Sequence, residues 1–246
     1  SDVCSSDLKI EDPAEIQQIA SLFEEKKLYI ADGHHRYETA LNYRNSLVSQ
    51  GKDVGQADHV MMTLVHMEHP GLVVFPTHRV VHGLKQFDAE QLLKDCAEHF
   101  TLTEMAVSQL EEAMKKAEEA GEKVLGLCLP QGGYLLKLRS ENVMKELLPD
   151  ASNAYQLLDV NVLHLLILER FLGIDKENMA NQRNLYYTRD AEEAFATVSQ
   201  GKADCAFLLN ATKVEEIADV AAAGEKMPQK STYFYPKLIT GHLMSK

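Results

Sequence analysis

The sequence predicts a mixed α/β fold, and three observations support this class. Short apolar runs of strand length alternate with segments whose apolar residues recur at helical spacing. Hydrophobic residues make up 45% and charged residues 25% of the 246 residues, which is the balance of a globular protein. The chain contains no internal repeat and no low-complexity segment. Its length fits one large domain or two small ones.

Composition and charge argue against several classes of protein. The 25 basic and 37 acidic residues give a formal charge of −12, which argues against nucleic acid as a partner. No apolar run approaches the ~20 residues that a membrane helix needs, so no membrane partner is expected. The four cysteines form no CxxC pair and no signal peptide is visible, which favours a cytoplasmic protein.

The first eight residues, Ser1–Leu8, resemble the translation of a sequencing adapter. We therefore predict that residues 1–8 are a non-native tail and that the native chain began upstream of Lys9. Two further parts are predicted. Residues 9–85 form a phosphate-binding part that is incomplete at its N-terminus, and residues 86–246 form a mixed α/β region.

The N-terminal part of the chain predicts two helices and three strands. Asp12 followed by Pro13 is typical of a helix start. Two neighbouring apolar runs separated by a short turn predict a hairpin. The predicted elements are a helix from Pro13, a strand over Leu28–Ala31, a helix over Tyr37–Leu47, and hairpin strands over His59–His66 and Leu72–Phe75.

The rest of the chain predicts further helices and strands in alternation. Two apolar runs flank a Gln-Gly-Gly turn and predict a hairpin. Further along the chain, Gly173 follows an apolar segment and predicts the end of a helix. The predicted helices cover Asp88–Glu98, Val107–Ala120, Val160–Leu172, Ala191–Gln200 and Val214–Ala223. The predicted strands cover Phe100–Glu104, Val124–Leu129, Tyr134–Leu138, Leu185–Thr188 and Cys205–Leu209.

The run Asp32-Gly33-His34-His35-Arg36 lies where a predicted strand turns into a helix. The first N–H groups of a helix lack internal partners and the helix dipole makes that end positive, so a phosphate is stabilised there. Gly33 permits close approach of the backbone, and Arg36 can bind two phosphate oxygens at once. The run therefore predicts a phosphate site, with a plain helix cap as the alternative.

The same run carries groups suited to catalysis. His34 and His35 offer hydrogen-bond donors, or a general base near neutral pH. Asp32 could bind magnesium, orient a histidine or accept a proton from a hydroxyl. Adjacent histidines at a helix start rarely reach one metal ion, so zinc is not expected.

The run Ile30-Ala31-Asp32-Gly33-His34-His35-Arg36-Tyr37-Glu38-Thr39-Ala40 resembles the signature of a bacterial family of unknown function, domain family 1015. The resemblance continues through Gly71-Leu72 and Pro76-Thr77-His78-Arg79 and into Met227–Lys237. It covers essentially Lys9–Gly241, and the three motifs in this order make it specific. The N-terminal portion of the family is missing here, which fits the adapter interpretation.

The same segment is similar, more distantly, to the ParB/sulfiredoxin superfamily. Sulfiredoxins bind ATP phosphates with a Gly-Cys-His-Arg motif, which Gly33, His35 and Arg36 match. His34 stands where the reactive cysteine would be, which argues against sulfinic acid reduction. Partition CTPases use a Gly-x-x-Arg-Tyr motif, matched by Gly33, Arg36 and Tyr37. The resemblance implies a ParB/sulfiredoxin-like strand–turn–helix core with nucleotide phosphate at the turn.

A second motif, Thr77-His78-Arg79, follows a predicted strand. Its three side chains could complete a phosphate pocket across from Arg36, or form a solvated surface turn.

A third motif lies near the C-terminus. Lys230 and Ser231 have an anion-binding composition, because lysine supplies charge and serine supplies a hydroxyl donor. The aromatic residues that follow, Tyr233, Phe234 and Tyr235, could stack on a base or pack as a strand.

These features predict a nucleotide-binding protein that transfers phosphate to a small hydroxyl-bearing metabolite, as the resemblance to free-serine kinases implies. Phosphoryl transfer depends on positioning and charge neutralisation, which Arg36, Arg79 and a carboxylate–magnesium pair could provide. The expected cofactor is ATP, ADP or CTP with magnesium; neither haem, flavin nor zinc is expected. One alternative is a nucleotide-binding regulatory module with slow or no turnover. A further alternative is a metal-dependent hydrolase that uses His34, His35 and His78.

Overall fold

The computed structural model describes residues 9–69 and 71–235, and it confirms the mixed α/β class. The chain divides into two compact units, one ending at Ile30 and the other beginning at Ala31. The described part of the first unit holds one helix, α1 (Pro13–Phe23). Asp12 caps this helix by accepting a hydrogen bond from the N–H of Ala14 at 2.8 Å, as predicted.

The second unit contains the remaining described helices and strands. Its helices are α2 (His34–Ser49), α3 (Ala89–His99), α4 (Val107–Glu119), α5 (Asn142–Leu147), α6 (Asn153–Gln156), α7 (Asp159–Asn161), α8 (Lys176–Asn181), α9 (Ala191–Ser199) and α10 (Val214–Ala222). Its strands are β1 (Val73–Val74), β2 (His78–Val81), β3 (Phe100–Met105), β4 (Val124–Leu129), β5 (Gly132–Leu138), β6 (Leu185–Thr188), β7 (Cys205–Leu208) and β8 (Phe234–Tyr235). A short 3₁₀ turn covers Gly55–Asp58, and π-type helix covers Val162–Glu169.

Six strands form one antiparallel sheet in the order β3-β5-β4-β7-β2-β6. Strand β2 lies between two strands from much later in the chain, so that Val80 is opposite Tyr186 on one side and Ala206 on the other. The predicted boundary between residues 85 and 86 therefore does not separate two sheets. Strand β2 precedes that boundary and completes a sheet whose other strands all follow it.

A hydrophobic cluster covers each face of this sheet, because successive side chains of a strand point to opposite faces. On one face, Val81 belongs to the same buried cluster as the apolar side chains of Val162–Glu169. On the other face, Val80 clusters with Leu110 of α4 and Ala194 of α9. This alternation along β2 decides which face each candidate site residue of the strand reaches.

Two of the predicted strands are wrong. Leu28–Ala31 and His59–His66 have no regular secondary structure. A strand needs a hydrogen-bonded neighbour, and no segment within 9–69 or 71–235 pairs with either run. The predicted hairpin is wrong for the same reason, because Val73–Val74 pairs with Phe234–Tyr235 near the opposite end of the chain.

The elements predicted from Asp88 onward are confirmed with small shifts at their ends. The exception is the helix predicted over Val160–Leu172. In the structure it is α-helical only up to Asn161, continues as π-type turns from Val162, and ends at Glu169. None of the helices in the described ranges combines the length and apolar character that crossing a bilayer requires.

Candidate functional site

Helix α2 begins at His34, directly after Gly33. Gly33 is the N-cap and has φ 85° and ψ 23°, a left-handed conformation that glycine adopts without steric cost. No side chain caps the first N–H groups of this helix. The predicted turn into a helix is therefore present, with the unusual backbone expected of Gly33, although the residues before it do not form a strand.

The guanidinium of Arg36 folds back over the start of α2. Three of its atoms lie 3.0, 3.2 and 3.3 Å from the position that a Cβ on Gly33 would occupy. The Nη2 atom of Arg36 is 3.8 Å from the Oδ2 atom of Asp32. Two predicted site residues, Gly33 and Arg36, thus lie together, and Asp32 is within ion-pair distance of the arginine.

A lysine from the C-terminal segment reaches the same helix. Lys226 Nζ donates a hydrogen bond of 2.6 Å to the Oε1 atom of Glu38. The bond and the charge of Lys226 hold the pKa of the Glu38 carboxyl below its usual value, and His35 and His34 add smaller effects in the same direction. The Nδ1 atom of His35 is 3.9 Å from the Oε2 atom of Glu38, and the imidazole of His35 is exposed.

The residues within 9–69 and 71–235 contain no group of three or more His, Cys, Asp or Glu side chains that could hold a metal ion. The ligand set of the predicted hydrolase, His34, His35 and His78, is therefore not assembled in the described chain. The magnesium role assigned to Asp32 stays a prediction.

Arg79 is buried on β2, next to the edge strand β6 of the large sheet, with 1% of its surface exposed. Its Nε atom donates to the Nε2 atom of His164 at 3.3 Å, and its Nη2 atom donates to the carbonyl oxygen of Lys230 at 3.0 Å. Its Nη1 atom donates to the carbonyl oxygen of Thr77. The guanidinium also lies 5.3 Å from the ring centre of Tyr187. Burial lowers the pKa of Arg79 to about 10, so the side chain stays charged at neutral pH.

His78 is the neighbour of Arg79 on β2, and strand alternation directs it to the opposite face of the sheet. Its Nδ1 atom accepts a hydrogen bond of 3.3 Å from the N–H of Leu209. Its Nε2 atom is buried and has no hydrogen-bond partner among the residues described. Burial, with a smaller effect from the charge of Arg79, lowers the pKa of His78 to about 4, so the imidazole is neutral at neutral pH.

The residues of the second motif divide between two places in the structure. Arg79 and Thr77 line one cavity, which we call the Arg79 cavity, and His78 is not among the residues that line it. None of residues 32–37 lines it either, and the phosphate pocket of the second motif across from Arg36 stays a prediction. Its enclosed space is small, about that of one water molecule, and it opens to solvent at its mouth. Its polar lining consists of Thr77, Arg79, Asn210, Thr212 and Ser231, with the carboxylates of Asp159 and Glu216.

The third motif reaches this cavity in a different way from the one predicted. Ser231 is buried and lines the cavity, and its hydroxyl donates to the carbonyl oxygen of Pro228 at 2.7 Å. Lys230 contributes its backbone carbonyl to Arg79, from a left-handed conformation with φ 57°. The predicted role of the Lys230 ammonium as an anion ligand has no support from this contact.

The aromatic residues of this motif divide between surface and core. Phe234 is buried, whereas Tyr235 is exposed and meets Phe75 edge to face at 5.7 Å. The guanidinium of Arg189 lies 4.1 Å from the ring centre of Tyr233. The packing role is thus confirmed for Phe234.

A charged cluster that the sequence did not indicate lies at the cavity. Lys123 Nζ lies 3.0 Å from the Oε1 atom of Glu216 and 3.5 Å from the Oδ1 atom of Asp159. Burial raises the pKa of the Asp159 carboxyl to about 6, and Lys123 offsets part of this effect. Lys123 directly precedes β4, Asp159 lies in α7 and Glu216 lies in α10, so no local spacing could have indicated that they meet.

The fold and these groups define a mixed α/β protein with a glycine-capped, arginine-covered helix start and a buried arginine beside a polar cavity. The chain belongs to the family described as Protein of unknown function (DUF1015), whose family model matches residues 2–161. The family resemblance is therefore confirmed. The more distant resemblance to the ParB/sulfiredoxin superfamily stays a prediction.

Solved structures with similar folds include a conserved hypothetical protein from Pyrococcus furiosus. It is 17% identical, with a TM-score of 0.44 over 89% of this chain and 81% of that one. A free serine kinase in complex with AMP is 15% identical, with a TM-score of 0.46 over 92% of this chain and 81% of that one. Similarities at this level assign no function to this chain. No curated protein matches it.

Proposed function

We propose that the chain binds the phosphate groups of a nucleotide at the start of α2 and transfers one of them to a small hydroxyl-bearing metabolite. The observation that carries the proposal is the position of the Arg36 guanidinium, 3.0 Å from where a Cβ on Gly33 would lie. A phosphate placed there would meet both a guanidinium and the first N–H groups of the helix, which no side chain caps. These two kinds of donor are the ones that phosphate oxygens use most effectively.

The electrostatics of the first two turns of α2 support this position. Glu38 is the acidic residue of these two turns, and its charge is paired with Lys226 at 2.6 Å. His34 and His35 both lie close enough to Glu38 to influence its pKa. The imidazoles can therefore serve as further donors to phosphate oxygens.

Phosphoryl transfer needs positioning and charge neutralisation more than covalent help from the protein. In the proposed reaction, the hydroxyl oxygen of the acceptor attacks the terminal phosphorus, the bond to the leaving nucleotide oxygen breaks, and the hydroxyl proton passes to the imidazole of His34 or His35. Magnesium commonly binds to one or two carboxylates and to the phosphates of the substrate, so Asp32 alone fits as its protein ligand. When bound, magnesium would neutralise charge on the phosphates.

The binding step is tested by calorimetry with ATP, ADP and CTP in the presence of magnesium. Arg36→Ala should abolish nucleotide binding. Arg44→Ala is the matched control, because Arg44 lies on the same helix and pairs with Asp58 at 2.9 Å instead. The control should bind as the unchanged protein does, and an unaltered affinity in Arg36→Ala would refute the proposed site.

The transfer step is tested by following nucleotide turnover with serine and related hydroxyl compounds as acceptors. Formation of a phosphorylated acceptor supports the transferase. Tight nucleotide binding without turnover for any acceptor supports the regulatory module in its place.

A further inference from the structure

We infer that the Arg79 cavity is a second anion site, which binds one oxyanion group, a carboxylate or a phosphate, of a small molecule. The cavity shares no lining residue with the start of α2. The inference therefore goes beyond the proposed function and does not depend on it.

The first argument is the uncompensated charge of Arg79. Its hydrogen-bond acceptors are two backbone carbonyls and the Nε2 atom of His164. Burial and the charge of Arg79 lower the pKa of His164 to about 3, so this acceptor is neutral. No carboxylate in the described ranges forms an ion pair with the guanidinium. Burying a cation without a counter-charge is costly, and an anion in the adjoining cavity would offset that cost.

The second argument is the number of donors that remain. A guanidinium carries five N–H groups in a fixed plane. The Nε, Nη1 and Nη2 atoms each make one hydrogen bond within the described chain, which leaves one N–H on each Nη atom. Arg79 lines the cavity together with the hydroxyl-bearing residues Thr212 and Ser231. Paired N–H groups of this kind match the two oxygens of a carboxylate or phosphate.

The two carboxylates at the cavity contact one lysine. Asp159 and Glu216 both interact with Lys123, at 3.5 and 3.0 Å, and neither lies within ion-pair distance of Arg79. The charges of the lining are therefore separated, with the two carboxylates around Lys123 in one part and the guanidinium of Arg79 in another. An oxyanion that enters the cavity is attracted to the guanidinium.

The third argument is the fixed orientation of Arg79. His164, which holds the Nε atom, lies within the π-type turns of Val162–Glu169. Such wide turns are rare, and they occur often at functional sites. Together with the carbonyls of Thr77 and Lys230, they hold the guanidinium in one plane before any ligand arrives.

The test follows the Arg79 Nε–H resonance by NMR in the full chain with ¹⁵N-labelled arginine. The protein is titrated with inorganic phosphate and, separately, with acetate, while chloride keeps the ionic strength constant. We expect a saturable shift of this resonance with one of the two anions. A response to phosphate alone identifies a phosphate group, and a response to acetate alone identifies a carboxylate. No saturable shift with either anion overturns the inference.

Variants separate this site from its surroundings and from the α2 site. Arg79→Lys keeps the charge but loses the planar pair of donors, so the dissociation constant should rise about tenfold or more. Arg189→Gln is the control, because Arg189 is an exposed arginine that stacks on Tyr233. The control and Arg36→Ala should both keep the phosphate or acetate response. Should Arg79→Lys fail to fold, the titration of the unchanged protein still decides the question.

Discussion

The guanidinium of Arg36 occupies the space that any side chain at Gly33 would need. A Cβ at position 33 would lie 3.0 Å from the Nη2 atom of Arg36. The contact is tighter than ordinary van der Waals packing, so a larger residue at position 33 must displace the arginine. The helix start and its arginine are therefore coupled, although two residues lie between Gly33 and Arg36 in the sequence.

Gly33→Ala should weaken both folding and nucleotide binding. The left-handed backbone of residue 33 disfavours a Cβ, so the free energy of unfolding should fall by about 1–2 kcal/mol. The displaced arginine should lower the affinity for nucleotide as well. Urea unfolding measures the first effect and calorimetry the second.

Gly51→Ala separates these two effects. Gly51 follows the other end of α2 with φ 65°, and no atom lies within 4 Å of its Cβ position. This variant should show a similar loss of stability and keep its nucleotide affinity. If both variants bind nucleotide equally well, the position of Arg36 is irrelevant to binding.

Lys226→Met should raise the pKa of Glu38 towards its ordinary value. The hydrogen bond from Lys226 is the largest cause of the lowered pKa, and its charge is the second. The pKa is measured by following the ¹³C resonance of the side-chain carboxyl as a function of pH. Because Lys226 comes from the C-terminal segment, the shift also reports whether this segment meets α2 in solution.

Lys116→Met is the matched control for that measurement. Lys116 lowers the pKa of Glu112 through the same kind of exposed hydrogen bond on α4. Its replacement should move the pKa of Glu112 and leave that of Glu38 unchanged. A Glu38 pKa that stays low in Lys226→Met would show that the two segments do not meet.

Asp159→Asn should remove part of the pH dependence of stability. Burial raises the pKa of Asp159 from 3.8 to about 6, so the folded protein holds this proton more tightly than the unfolded chain. The resulting stabilisation is complete below pH 3.8 and is lost as the pH rises through 6. As the pH rises through this range, the unchanged protein should lose stability that Asp159→Asn does not lose. The difference in the free energy of unfolding should be about 3 kcal/mol at most.

The measurement is urea unfolding at a series of pH values between these limits. Asp150→Asn replaces an exposed aspartate and should leave the profile of the unchanged protein intact. If the free energy of unfolding changes with pH in the same way in Asp159→Asn and in the unchanged protein, the pKa of Asp159 is not raised by folding.

Helices and strands with strong local signals were predictable from the sequence. Asp88 and Asp190 each accept hydrogen bonds from two N–H groups at the start of a helix, and both helices begin where these residues indicate. The hairpin of Val124–Leu129 and Gly132–Leu138 likewise depends on the turn between its own strands.

Strand pairing between distant segments was not predictable. Leu28–Ala31 and His59–His66 have the apolar composition of strands, yet composition cannot supply a neighbouring strand. Val73–Val74 does form a strand, with a partner at Phe234–Tyr235 that no local turn indicates.

The candidate site divides in the same way. Gly33 and Arg36 were predictable together, because both lie within the first turn of one helix. The burial of Arg79 and its separation from His78 depend on the register of β2 between β6 and β7. That register is a property of the whole sheet, as is the meeting of Lys123 with Asp159.

The place of β2 in the sheet sets the order in which a newly made chain can complete its core. The pairs among β3, β5 and β4 join segments that are close in sequence, so this three-stranded part of the sheet can form before the rest of the chain has been synthesised. Strand β2 can form its hydrogen bonds only after its two partner strands, Leu185–Thr188 and Cys205–Leu208, have been synthesised. Until then β2 lacks both of its partner strands, and Val80 and Val81 cannot reach the buried positions that they hold in the complete sheet.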